Sequence, residues 1–219
     1  MCGRFTLTVD PTELAQLFAI NEFVADAYEK SYNIAPSQKV LSVIESKGKR
    51  KAGLLQWGLI PRWADPTKMK PFINARSETL NEKRSFRHLN RNRCVILADS
   101  FYEWKREDGK KKPIRFMFND GKPFAFAGLW DRYQREGQTV YTCTIITTPP
   151  NQLVESVHNR MPAILDEQTI SEWLSPENRE WSQLQALLKP YAAEKMKKYE
   201  VSSIVNSPKN NSVECIKPL

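Results

Sequence analysis

The spacing of hydrophobic positions changes several times along the chain, and each change predicts an element. Pro11 to Ile20 has helical spacing, with Asp10 as N-cap, Pro11 at the first helical position and Glu13 at the third. Lys39 to Ser46 and Lys51 to Ile60 read as two strands joined by a Lys-Gly-Lys-Arg turn, hence a hairpin. From Ser77 to Asn92 the positions Leu80, Phe86 and Leu89 return to helical spacing. Lys83, Arg84, Arg87, Arg91 and Arg93 surround them, which predicts a basic helix beside the core. The segments CVILADSFYEWK, KPIRFMFN, PFAFAGLW and VYTCTIITT are rich in β-branched and aromatic residues. Turn signals at Glu107-Asp108-Gly109 and Asn119-Asp120-Gly121 divide them into meandering strands. Asp166 to Leu174 and Asn178 to Lys189 read as helices, Glu200 to Ile204 as a short strand, and VECIKP as a further one. Together these predict an α+β fold: a single domain over residues 1–219, with curved antiparallel sheets forming a barrel-like core and helices at the periphery.

Composition narrows the class. Hydrophobic residues make up 41% of the chain, including six Trp, seven Tyr and ten Phe, which is ample for a packed core and excludes disorder. Lys and Arg total 33 against 25 acidic residues, and the net charge of +8 favours a polyanionic partner. Cys2, Cys94, Cys143 and Cys215 are scattered without zinc-ligand spacing, so no metal site is expected. The N-terminus lacks the apolar stretch of a signal peptide, and no apolar run approaches the ~18 residues of a membrane span. A cytoplasmic protein with reduced thiols and no membrane partner is expected.

Removal of Met1 would leave Cys2 with a free α-amine and a thiol on one residue, a 1,2-aminothiol. Reference pKa values of about 8 and about 8.5 keep a useful fraction of each group unprotonated near neutrality. An aldehyde condenses with the amine to an imine, and the thiol closes a five-membered thiazolidine. The alternative is a cysteine of no consequence. Glu103, framed by Phe101, Tyr102 and Trp104, is either a desolvated proton donor and acceptor or a strand carboxylate paired to an arginine. His158 precedes a proline-restricted turn and is either a proton shuttle or an ordinary loop histidine, while His88 belongs with the basic segment. Asn74, between Ile73 and Ala75, either ties down backbone or faces a site.

Met1 to Phe5, Tyr32-Asn33-Ile34-Ala35-Pro36, Trp57-Gly58, Pro71 to Thr79, Ala98 to Trp104 and His158 to Pro162 together resemble the SRAP family, the SOS response-associated peptidase or abasic-site processing proteins. The resemblance runs to the Val205-Asn206 and Lys209-Asn210 region and so covers nearly the whole chain. It implies a covalent thiazolidine between a processed Cys2 and the ring-opened abasic deoxyribose of single-stranded DNA, which protects the lesion at replication forks. It also implies autoproteolytic loss of Met1. Cys2, Asn74, Glu103 and His158 would form the catalytic set, with Asn74 positioning Cys2 and the sugar. Arg4, Arg76, Arg84 and Arg160 would contact phosphates, and Trp63 would stack on an unpaired base. Asn33, Pro36 and Thr148 complete the DNA-binding set, and Lys68, Lys70 and the Lys110-Lys111-Lys112 run are weaker candidates, since a charge run in a hairpin turn is usually solvated surface. A monomer that needs no metal or organic cofactor is expected.

Three rival functions differ in sequence features. Class II glutamine amidotransferases also begin Met-Cys-Gly, but here Arg4 follows and no glutamine-pocket motif lies downstream. A peptidase acting on other proteins would need a Ser/His/Asp or Cys/His signature beyond Cys2 itself. A noncatalytic single-strand binder predicts binding that survives loss of Cys2 and dissolves in denaturant.

Overall fold

The computed structural model describes residues 2–24, 28–177 and 180–219. Met1 and the first two residues of the helix expected over 178–189 lie outside the described residues. The first half of the chain carries β1 (Phe5–Leu7), α1 (Pro11–Leu17), β2 (Glu22–Phe23), β3 (Ser31–Ile34), β4 (Lys39–Ser46), β5 (Lys49–Trp57) and β6 (Asn74–Arg76). The central strands are β7 (Arg93–Ala98), β8 (Ser100–Glu107), β9 (Lys110–Phe118), β10 (Phe124–Arg135) and β11 (Gln138–Thr148). Then come α2 (Gln152–Glu155), β12 (Met161–Pro162), β13 (Ile164–Leu165), α3 (Glu167–Leu174), α4 (Trp181–Ala186) and β14 (Met196–Glu200).

The expected α+β architecture with a barrel-like core is present. One sheet runs β14-β9-β8-β1-β3, antiparallel throughout. In the other, β11, β10, β7, β4 and β5 follow one another, and a parallel contact of β5 with β11 (Cys143↔Trp57) closes the ring. Short parallel pairings also attach β2 to β5 and β6 to β11. Phe5 from the first sheet meets Trp57 and Phe126 from the second edge to face at 5.2 and 5.6 Å, so both sheets share one apolar core.

Several expected elements take a different form. CVILADSFYEWK is two strands in two sheets, because the chain crosses between them at Asp99, whose amide bonds back to Thr6 O at 2.9 Å. The hairpin of β4 and β5 turns on Lys47 and Gly48 alone, so β5 starts at Lys49 and ends at Trp57. The β8–β9 turn is equally tight: Asp108 and Gly109 have φ of 50° and 72°, the left-handed pair that such hairpins require and that glycine adopts without strain. Ser77 to Asn92 is no α-helix. It opens with a 3₁₀ turn at Ser77–Thr79 and continues through separate turns, such as Phe86 N to Lys83 O and Leu89 N to Phe86 O. Its serines and asparagines compete with helical bonding, although Leu80, Phe86 and Leu89 are buried as the spacing predicts. Arg93 is itself buried in β7, its guanidinium bonded to the carbonyls of Trp173, Asn90 and Ser175. The late strand lies at Met196–Glu200 and is followed by a 3₁₀ turn over Ser203–Asn206. VECIKP supplies another 3₁₀ turn, after which a single antiparallel bridge joins Pro218 to Val201.

Close packing inside the barrel generates a stability prediction. A Cβ on Gly128 of β10 would stand 2.8 Å from Ile96 Cδ1, 3.0 Å from Cys94 Sγ and 3.1 Å from Thr144 O. Gly128→Ala should therefore lower the unfolding free energy by about 1–3 kcal/mol, read from urea denaturation; an unchanged midpoint would contradict the packing described.

Candidate active site

Residue 2 is placed by β1. Phe5 pairs with Ile34 on one side and Phe101 on the other, and the Tyr102 amide bonds to Arg4 O at 3.0 Å, which carries the start of the chain alongside β8 towards Glu103. The Cys2 side chain is fully buried. Burial, reinforced by the neighbouring Glu103 charge, pushes its thiol pKa well up, so the sulfur is a protonated thiol at neutral pH. Asn74, held in β6 by its pairing to β11, donates from Nδ2 to Cys2 O at 3.0 Å. Its Oδ1 is buried without a hydrogen-bond partner among the described residues.

Glu103 is buried in β8, and burial pushes its carboxyl up to about 7. His158 follows α2, and its Nδ1 lies 3.0 Å from the Arg160 amide, from which it can accept, and 3.2 Å from the Arg160 carbonyl, to which the other tautomer donates. Burial holds the histidine pKa below its ordinary value. Glu103 and His158 line one cavity of about 500 Å³ with Trp104, Arg106, Lys111 and Asn206. The structure thus brings the four residues of the expected catalytic set together: Asn74 on Cys2, Cys2 beside Glu103, and Glu103 across a cavity from His158.

The expected DNA-binding residues divide into two groups. Trp63 and Arg76 are exposed, and the Arg84 guanidinium lies 4.3 Å from the Trp63 ring centroid. Pro36 is half-buried. The others are engaged inside the protein. Arg4 donates to Asn33 Oδ1 at 2.8 Å and to the carbonyls of Val205 and Asn206 at 2.6 and 3.0 Å. Asn33 is buried and donates to the carbonyls of Val205, Ser207 and Asn210. Thr148 is buried with its hydroxyl on Leu188 O. Arg160 forms a two-pronged pair with Glu78 at 2.5 and 2.9 Å and donates to Thr147 O. Of these contacts, the Arg4 bond to Asn206 O ties down a residue of the cavity wall.

Several residues that shape the site have no role assigned from the linear sequence. Asp131 is buried in β10 and binds Arg62 through its amide and guanidinium at 2.9–3.0 Å, with His88 Nε2 at 3.7 Å. It fixes the loop that presents Trp63. Asn206 accepts the Trp104 indole N–H at 2.7 Å and forms part of the cavity wall. Arg106 and Lys111 reach the same wall, Lys111 from a basic run that ranks among the weaker DNA-contact candidates. Alternation along a hairpin could have separated the two faces of that run.

The SOS response associated peptidase (SRAP) family model matches residues 1–208. The abasic site processing protein YoqW of Bacillus subtilis (strain 168) is 51% identical over 221 residues, covering 99% of this chain and 99% of that protein. The abasic site processing protein HMCES of Gallus gallus is 31% identical over 264 residues, covering 100% of this chain and 78% of its own length. A crystal structure of a Bacteroides thetaiotaomicron protein superposes with a TM-score of 0.89 at 26% identity, covering 100% of both chains. Among the described residues, no helix is long and apolar enough to cross a membrane.

The raised Glu103 pKa has a thermodynamic signature. An unfolded carboxyl titrates near 4.3, so below that pH Glu103 is neutral in both states. As pH rises the unfolded state releases its proton first, at about 4.3, and the folded state only at about 7, so stability is lost across that window. Relative to Glu103→Gln, the wild type should lose on the order of 3 kcal/mol between pH 4 and pH 8. Parallel unfolding curves at all pH values would contradict the raised pKa.

Proposed function

We propose, from the premise that the chain belongs to the SOS response associated peptidase family, that it captures abasic sites in single-stranded DNA as a covalent thiazolidine on Cys2. The observation that carries this reading is the buried Glu103 carboxyl, held near neutrality beside Cys2. Hydrolysis of the Met1 peptide bond, as an autopeptidase step, frees the Cys2 amine. The Glu103 acid then donates a proton to the ring oxygen of the closed sugar as the C1′ hydroxyl gives its own to water, exposing the aldehyde. The amine adds to C1′ and water leaves, giving an imine assisted by the His158 imidazole. The thiol adds to the same carbon, and its proton passes to the nitrogen through the Glu103 carboxylate. Water is the leaving group of the condensation, and no oxidant or reductant enters.

Asn74 suits a positioning role. Its Nδ2 holds the Cys2 carbonyl, and its buried Oδ1 offers an acceptor for a freed amine or a sugar hydroxyl. A protonated thiol favours amine attack first and ring closure second. Trp63, with Arg84 on its ring, and Arg76 supply an exposed aromatic and cationic surface for an unpaired strand. Arg4, Asn33, Pro36, Thr148 and Arg160 shape the backbone that the strand lies against. The protein acts as a monomer in the cytoplasm, on strands exposed at replication forks, without metal or cofactor.

The test combines Met-free protein, verified by intact mass, with a single-stranded oligonucleotide bearing one abasic site. A denaturant-resistant adduct is expected on a gel. Cys2→Ala should abolish it while salt-sensitive binding persists, and Glu103→Gln should slow its formation about 10²-fold. His158→Ala should change the rates of imine formation and reversal while a thiazolidine still forms. Absence of any adduct with Met-free wild-type protein would overturn the reading.

A further inference from the structure

The tight Asp108-Gly109 turn sets the register of β8 against β9, and that register places like charges opposite one another. Lys105 faces Lys112, and Arg106 faces Lys111. Such pairs repel. The first is resolved inside the protein: Glu107 accepts from Lys105 Nζ at 2.6 Å and Lys112 Nζ at 2.7 Å, and these cations lower its own carboxyl to about 2. The second pair makes no ion pair among the described residues. Arg106 and Lys111 instead line the cavity that holds Glu103 and His158.

We infer that Arg106 and Lys111 form a phosphate subsite of the candidate active site, taking a phosphodiester next to the reacting sugar. The inference rests on the proposed abasic-DNA reading for its ligand. An abasic nucleotide has no base to stack, so the aromatic contacts that hold an ordinary nucleotide cannot position this one. Its flanking phosphates are the strongest handles that remain. The Arg106 guanidinium offers a planar fork suited to two phosphate oxygens, and Lys111 adds a point charge beside it. Binding an anion there also removes the repulsion that the hairpin register imposes.

The test is a thermodynamic cycle on equilibrium binding, run in a Cys2→Ala background so that binding stays reversible. That parent and its Arg106→Gln, Lys111→Gln derivative are each titrated with two single-stranded abasic oligonucleotides. One carries natural linkages, and the other carries neutral methylphosphonates on both sides of the abasic sugar. The derivative should bind the natural strand roughly tenfold or more weakly, with the slope of log affinity against log salt reduced by about 0.7 per phosphate lost. On the methylphosphonate strand derivative and parent should bind alike, because the contact is already absent. Equal losses on both strands, or no loss on either, would overturn the subsite. Adduct formation is scored separately, on Met-free protein that retains Cys2: an adduct with an additive cycle sinks the subsite alone, and a coupled cycle without an adduct sinks only the covalent reading.

Discussion

The buried carboxylate of Asp99 holds the beginning of the chain in place. It sits where the backbone leaves one sheet for the other, and its oxygens accept the Thr8 amide and hydroxyl at 2.6 Å each and the Thr6 hydroxyl. Arg115 approaches within 3.8 Å, while its guanidinium also donates to Ser100 Oγ at 2.7 Å. β1 has only three residues, too few for its ladder alone to define its position. A charge buried in this way is tolerated only when its oxygens are satisfied, so the network and the strand require each other. The placement of Cys2 next to Glu103 follows from that mutual requirement.

Several arginines are engaged by groups of the protein itself, in contrast to Arg106 and Lys111, which line the cavity. Arg160 is neutralised by Glu78, Arg62 by Asp131, and Arg115 faces Asp99. Arg4 is bound to a neutral amide and to carbonyls. Burial is the largest influence on Glu103, and a carboxyl near 7 can both give and take a proton at neutral pH.

Much of the framework is legible in the sequence, because local patterns generate it. Asp10 caps α1 through Thr12 N, and Asp166 caps α3 through Thr169 N, as Asp-led helix starts predict. The strands around Asp108-Gly109 are visible from their turn chemistry. The basic segment from Ser77 reads as a helix only because apolar spacing does not separate a helix from a chain of turns that buries the same three side chains. The grouping of Cys2, Asn74, Glu103 and His158 becomes legible only through matched motifs, since they lie on separate elements and no local period links them. Asp131 and the two faces of the β8–β9 hairpin are not legible, because their meaning arises only when strands pair and distant loops meet.

The clamp from Arg4 to the carbonyls of Val205 and Asn206 spans 201 and 202 residues of sequence. Contacts that distant close late in folding, since the loop between them must be ordered before they can offset its entropy. During synthesis residue 4 leaves the ribosome long before residues 205 and 206 exist. The wall of the cavity that contains Asn206 is therefore missing from every partial chain that stops short of it, and a nascent polypeptide displays Cys2 before that wall exists.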